Sequence, residues 1–186
     1  MMFGSLTAFA GDPAKPADSM KKAPPPAMEI PKPAQQVTDR AKMMTGTWKC
    51  DGTSMGMDGK DAKFSGTYVS KADLDGFQIH DSFNGTMAMG KTPFKFKFEM
   101  FSSWDTNSKK WHMMMADNWG GQGVGTADEM KDGKMETVAE SYDMMGKSQV
   151  KDHLDASDLK KGMHMWGEQS KDGKVWNKTY DLTCKK

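Results

Sequence analysis

From Phe94 to Met100 apolar and charged side chains alternate without a break. Phe94, Phe96, Phe98 and Met100 fall on one side, and Lys95, Lys97 and Glu99 on the other. A period of two marks a strand with one buried and one wet face. Weaker versions of the pattern predict strands at 47–51, 63–70, 76–83, 110–117, 121–128, 134–142, 148–155, 162–169 and 174–184. Helical spacing is confined to 37–44, where Val37, Ala41 and Met44 share a side before Gly46.

The segments between these strands carry turn chemistry. Lys131-Asp132-Gly133-Lys134 and Lys171-Asp172-Gly173-Lys174 are the same tetrapeptide, and Asp58-Gly59 and Asp75-Gly76 are similar. Asp-Gly tolerates positive φ and closes tight hairpins. Asp105-Thr106-Asn107-Ser108 makes a longer loop. Hairpin after hairpin gives an antiparallel meander, and closing it removes the exposed edges. The expected fold is all-β: a single up-and-down barrel of about eight to ten strands with a short N-terminal helix. A two-sheet sandwich fits the same strand pattern.

Composition changes what can fill such a barrel. Leu, Ile and Val together number 13 in 186 residues, against 20 Met. The core therefore has to come from Met, nine Phe, six Trp and three Tyr. A net charge of +1 argues against a nucleic-acid footprint, and no apolar run approaches a membrane span.

The domain is expected to occupy 37–186. Seven of the eight Pro fall between Pro13 and Pro33, so 11–36 reads as a disordered Pro/Ala/Lys-rich tether. Residues 1–10 end in Ala8-Phe9-Ala10, the small-x-small form of a signal-peptidase site, and read as the tail of an export signal. A periplasmic or extracellular location follows as an expectation.

Cys50 lies in the first predicted strand and Cys184 in the last. In a closed up-and-down barrel those strands are neighbours, so a Cys50–Cys184 disulfide is reasonable, and export would permit it. Two independent buried thiols are the alternative. The wide spacing offers neither a CxxC redox motif nor a zinc site.

Met44-Thr45-Gly46-Thr47-Trp48 resembles the L-x-G-x-W opening of calycin-like barrels. Trp104-Asp105-Thr106-Asn107-Ser108-Lys109-Lys110-Trp111 resembles their Y-D-x-x-x-K-x-W hairpin. Gly120-Gly121-Gln122-Gly123 and then Lys171-Asp172-Gly173-Lys174 follow in order. Together these motifs resemble the bacterial domain-of-unknown-function 1579 family over about 36–184. The resemblance implies a lipocalin-like barrel and brings no activity or catalytic residues. The methionines depart from the family's usual pattern.

Four Met-x-Met pairs stand out: Met55/Met57, Met87/Met89, Met113/Met115 and Met163/Met165. On a strand each pair presents two thioethers to one side. Thioethers suit Cu(I), and imidazole can complete such a site. One reading is thus a Cu(I) or Ag(I) site of Met113, Met115, Met163 and Met165 with His112 or His164. A flat strand opposes it locally, because His164 points away from Met163 and Met165. The other reading makes Met an adaptable core or cavity lining that replaces the missing aliphatics.

GxSxG, HExxH and P-loop motifs are absent, and 120–125 lies outside any βαβ context. His80, His112, His153 and His164 are dispersed. Asp155 and Asp158 read as turn formers. With 25 Lys to one Arg, bidentate anion recognition is not expected. The expectation is a non-catalytic, cofactor-free barrel that binds a small apolar or amphipathic molecule. Its lining candidates are Trp48, Phe94, Phe96, Phe98, Trp111, Trp119 and Trp176, joined by Met113, Met115, Met163 and Met165. The alternatives are Cu(I) handling and an assembly role for the Pro-rich arm.

Overall fold

A computed structural model of the chain describes residues 30–56, 59–89 and 92–186. The chain divides into two units, 1–31 and 32–186. The export-signal segment, nearly all of the tether, Met57 and Asp58 lie outside the described residues, as does the side chain of Met89.

Residues 32–186 form a closed antiparallel barrel of ten strands preceded by one helix. The helix is α1 (Gln35–Met44). The strands are β1 (Gly46–Met55), β2 (Asp61–Asp73), β3 (Gln78–Met89), β4 (Thr92–Asp105), β5 (Lys110–Asp117), β6 (Gln122–Ala127), β7 (Lys134–Asp143), β8 (Gly146–Asp155), β9 (Met163–Ser170) and β10 (Asn177–Lys185). Each pairs with the next, and β1 pairs with β10 to close the ring. The expected up-and-down barrel with a short helix is therefore the fold. No helix among the described residues is long and apolar enough to cross a membrane.

Closure brings Cys50 directly opposite Cys184, and the two form a disulfide. It links residues 134 apart, worth about 4–5 kcal/mol in the chain-entropy treatment.

The register sorts side chains cleanly. Across β3, β4 and β5, the pairs Phe83/Phe98, Met100/Met115, Ser102/Met113 and Trp104/Trp111 share the inner face. Two inward glycines are spatial requirements. Phe83 lies over Gly66 and Gly85, which face each other across β2 and β3, and a Cβ on Gly66 would sit 2.5 Å from the ring.

Helix α1 seals one end of the barrel. It buries Val37, Arg40 and Met44, three positions that share one face at a spacing of three and four. Val37 packs with Ile79, Trp111, Met113 and Ala127, and Met44 packs with Trp48 and Cys50. Trp48 Nε1 donates to Met44 O at 3.0 Å, satisfying a carbonyl at the helix end. Arg40, the single arginine of the chain, donates to Asp81 (2.8 Å) and Ser102 (3.1 Å) and lies over the Trp111 ring. Both partners of the Arg40–Asp81 pair are buried.

Candidate functional site

Burial is unequal along the inside of the barrel. At the helix end the inward side chains of Trp48, Ile79, Asp81, Ser102, Trp111 and Met163 are at most 2% exposed. Toward the other end the inward Met87, Phe94, Phe96, Phe98, Met115, Val150, Gln169 and Tyr180 are only half-buried. Some inner-wall side chains at the end opposite α1 are thus reached by solvent, although Phe64, Ser54 and Ser148 there are buried, and this less sealed end is the cup above the floor that α1 covers.

The two sides of the cup differ in chemistry. On β3 and β4, Phe83, Phe96 and Phe98 form a ring cluster with Phe64, with centroids 5.1–6.5 Å apart. Such tilted and offset contacts fix the rings beyond simple burial. Half-way round the barrel, β7 to β10 present Ala139, Ser141, Ser148, Asp152, Gly167, Gln169 and Tyr180. Tyr180 Oη donates to Asp152 Oδ1 at 2.9 Å, and Gln169 Nε2 donates to Ser148 Oγ at 2.7 Å. The Tyr180 ring lies against Gly167, leaving no room for a Cβ there.

Burial pushes the Asp152 carboxyl above the ordinary aspartate range, against the lowering effects of Tyr180 and His153. Burial likewise raises the Tyr180 phenol, and the neighbouring Asp152 raises it further. Near the floor the Tyr68 phenol is raised by burial first and by Asp81 second.

The structure separates the residues singled out in the sequence. Phe94, Phe96 and Phe98 line the cup. Trp119 stands at the rim, stacked on Phe94 at 3.6 Å and donating Nε1 to Lys95 O at 3.1 Å. Trp48 and Trp111 belong to the sealed floor. Trp176 lies before β10 under Lys151, an outward residue, at 4.4 Å. A bulge between Lys178 and Tyr180 explains it. The expected strand at 174–184 assumed unbroken alternation, and one extra residue moves everything before it to the other face.

Met113, Met115, Met163 and Met165 all point inward but lie on β5 and β9, with three strands between them on the shorter way round. Met113 and Met163 belong to different core clusters, and the Met113 sulfur accepts from Thr137 Oγ1. His112 and His164 point outward, His112 beside Asp105 and His164 Nε2 donating to Asp181 Oδ1 at 2.8 Å. The structure does not bring this six-residue set together. Met100, across from Met115 on β4, is the nearer thioether neighbour.

Three polar residues of the interior escaped the sequence reading. Arg40 carried a signal, as the one Arg among many Lys and on the buried side of an amphipathic segment. Asp81 and Asp152 carried only alternation, which places each in line with apolar inner residues such as Ile79 and Phe83, or Val150 and Leu154. Outside the barrel, Phe101, His112, Met114, Val124 and Val138 line an open groove of about 550 Å³ across β4 to β7.

The fold has counterparts among solved structures. The chain is similar to the crystal structure of Rv2717c from M. tuberculosis, with a TM-score of 0.61 over 83% of this chain and 99% of that one. Identity is 7%, so the likeness concerns the fold alone. No family model matches the chain, and no curated protein matches it.

Proposed function

We propose that this protein is an exported, non-catalytic binding barrel that takes a small apolar or amphipathic molecule into the open half of its interior. The observation that carries the reading is the exposure gradient: aromatic side chains pointing into the barrel remain half-wet above a floor closed by α1. Inward rings that solvent still reaches are apolar surface left uncovered, and a concave apolar wall with a few polar groups is what small-molecule sites share. Export is supported by the buried Cys50–Cys184 bridge, a bond favoured outside reducing compartments.

The test is a titration of the oxidised full-length chain with a neutral, polarity-sensitive dye. Saturable binding is expected near one dye per chain. Phe96→Ala and Phe98→Ala should weaken it, while Phe101→Ala on the outer face should not. Absence of saturable binding, or loss on Phe101→Ala alone, would overturn the reading.

A further inference from the structure

Among the described residues, no strand lysine points into the barrel, and the one cation buried inside, Arg40 of α1, is consumed by the floor. Its guanidinium is held by Asp81 and Ser102 and roofed by Trp111. The strand lysines alternate outward: Lys95 and Lys97 on β4, Lys134 on β7, Lys147 and Lys151 on β8. An anionic headgroup entering the cup would meet no positive charge. It would also meet a carboxyl, Asp152, across from the phenylalanine wall.

Two groups near Asp152 keep free acceptor oxygens. Tyr180 spends its proton on Asp152 Oδ1 and keeps an oxygen lone pair. Gln169, two residues beyond Gly167 on β9, spends Nε2 on Ser148 and keeps its carbonyl oxygen. No other side-chain donor among the described residues reaches the second Asp152 oxygen. Ser54, also inward, donates to Thr179 O and so adds no free donor. An apolar wall therefore faces a polar patch with one carboxyl and the free Tyr180 and Gln169 oxygens, beside the Ser148 hydroxyl, which accepts from Gln169 and keeps its own proton.

We propose that the cup selects an apolar amine: the protonated amino group donates to Asp152, with Tyr180 and Gln169 as further acceptors, and the hydrocarbon body lies on Phe96 and Phe98. An ammonium has three N–H donors and no acceptor, which complements three acceptors. Burial already disfavours the lone Asp152 charge, and an entering cation offsets that cost. The inference rests on the binding-barrel reading and adds the sign of the headgroup.

Three eight-carbon probes test both at once on the oxidised full-length chain: octylamine, octanol and octanoate, each displacing the neutral dye. Hydrogen bonds to charged groups predict octylamine tighter than octanoate by at least about tenfold, with octanol between. Asp152→Asn should bring amine and carboxylate within about threefold of each other while octanol is unchanged. Glu168→Gln, a carboxylate on the outer face, should leave the preference intact. Equal displacement by amine and carboxylate, or an amine preference that survives Asp152→Asn, would overturn the headgroup assignment and leave the cup standing. Failure of all three probes would remove the cup and the headgroup together.

Discussion

At the scale of single residues, three charged groups sit inside a barrel whose core is mostly rings and thioethers, and they fall into two kinds: a pair and a lone carboxyl. Arg40 and Asp81 pair at 2.8 Å in full burial, so each offsets the other's charge, although Arg40 Nε and Asp81 Oδ1 have no hydrogen-bond partner. Removing one strands the other charge, which costs about 3–5 kcal/mol, whereas replacing both with apolar groups is often close to neutral. Arg40→Ala should therefore lower the urea midpoint sharply, and Arg40→Met with Asp81→Leu should recover most of it. A double variant no better than the single one would show that α1 is held by something else. Asp152 has no cationic partner on the inner wall. Its folded state holds the proton to higher pH than the unfolded chain does. Stability must then fall as pH rises from the unfolded aspartate value, about 3.9, through the raised folded one. Asp152→Asn should remove that slope and gain up to about 1 kcal/mol at neutral pH, seen in urea titrations at several pH values. A residue that weakens the fold where it stands is a candidate for a working site. An unchanged or steeper slope in the variant would deny it that status.

At the scale of elements, the sequence was most legible where alternation and turn chemistry agreed. The strand at 110–117 came out as β5 with both ends in place, because the Asp105 side chain caps the preceding loop through Asn107 and Ser108. The strand centred on Phe94–Met100 ran on to Asp105, since Ser102 is inward and buried while carrying no hydrophobic signal. The repeated tetrapeptide shows the limit of local reading. At 131–134 both Asp132 and Gly133 take positive φ and Lys131 bridges Lys134, a tight hairpin. At 171–174 only Gly173 does, and the Asp172 carboxylate instead accepts from Lys174 and Val175 N–H. Identical words close different turns because the register of the flanking strands differs. The inward glycines were equally silent, since their role depends on Phe83, seventeen residues from Gly66 and two from Gly85. Gly85→Ala would drive a methyl into that ring. A loss of about 1–3 kcal/mol is expected for overpacking of this kind, with weaker dye binding because Phe83 anchors the aromatic wall. Full stability in the alanine variant would mean that the ring cluster has slack.

At the scale of the whole molecule, the seam between β1 and β10 decides whether ten strands are a barrel or a curled sheet. Hydrogen bonds alone would leave the two chain-terminal strands to separate like any edge pair. The disulfide sits on the inner face of that seam, beside Trp48, Met44 and Met163, with both cysteines at most 1% exposed. It thus ties closure to the α1 floor: opening the seam uncovers the same apolar cluster that the helix covers. The sequence showed two cysteines at the two ends of a meander, and closure turned that spacing into adjacency. Reduction should then be slow in native buffer, because the sulfurs are reached only when the seam opens, and fast in urea near the midpoint. Once reduced, or in Cys50→Ala/Cys184→Ala, the chain should lose about 4–5 kcal/mol, a large share of the 5–15 kcal/mol typical of a domain. Far-UV circular dichroism should still report strands at low denaturant, since the other nine pairings are untouched. Rapid reduction of the native protein would place the bridge at an accessible edge and contradict the buried seam. A reduced protein as stable as the oxidised one would mean that packing between the floor and the first and last strands closes the barrel without help from sulfur.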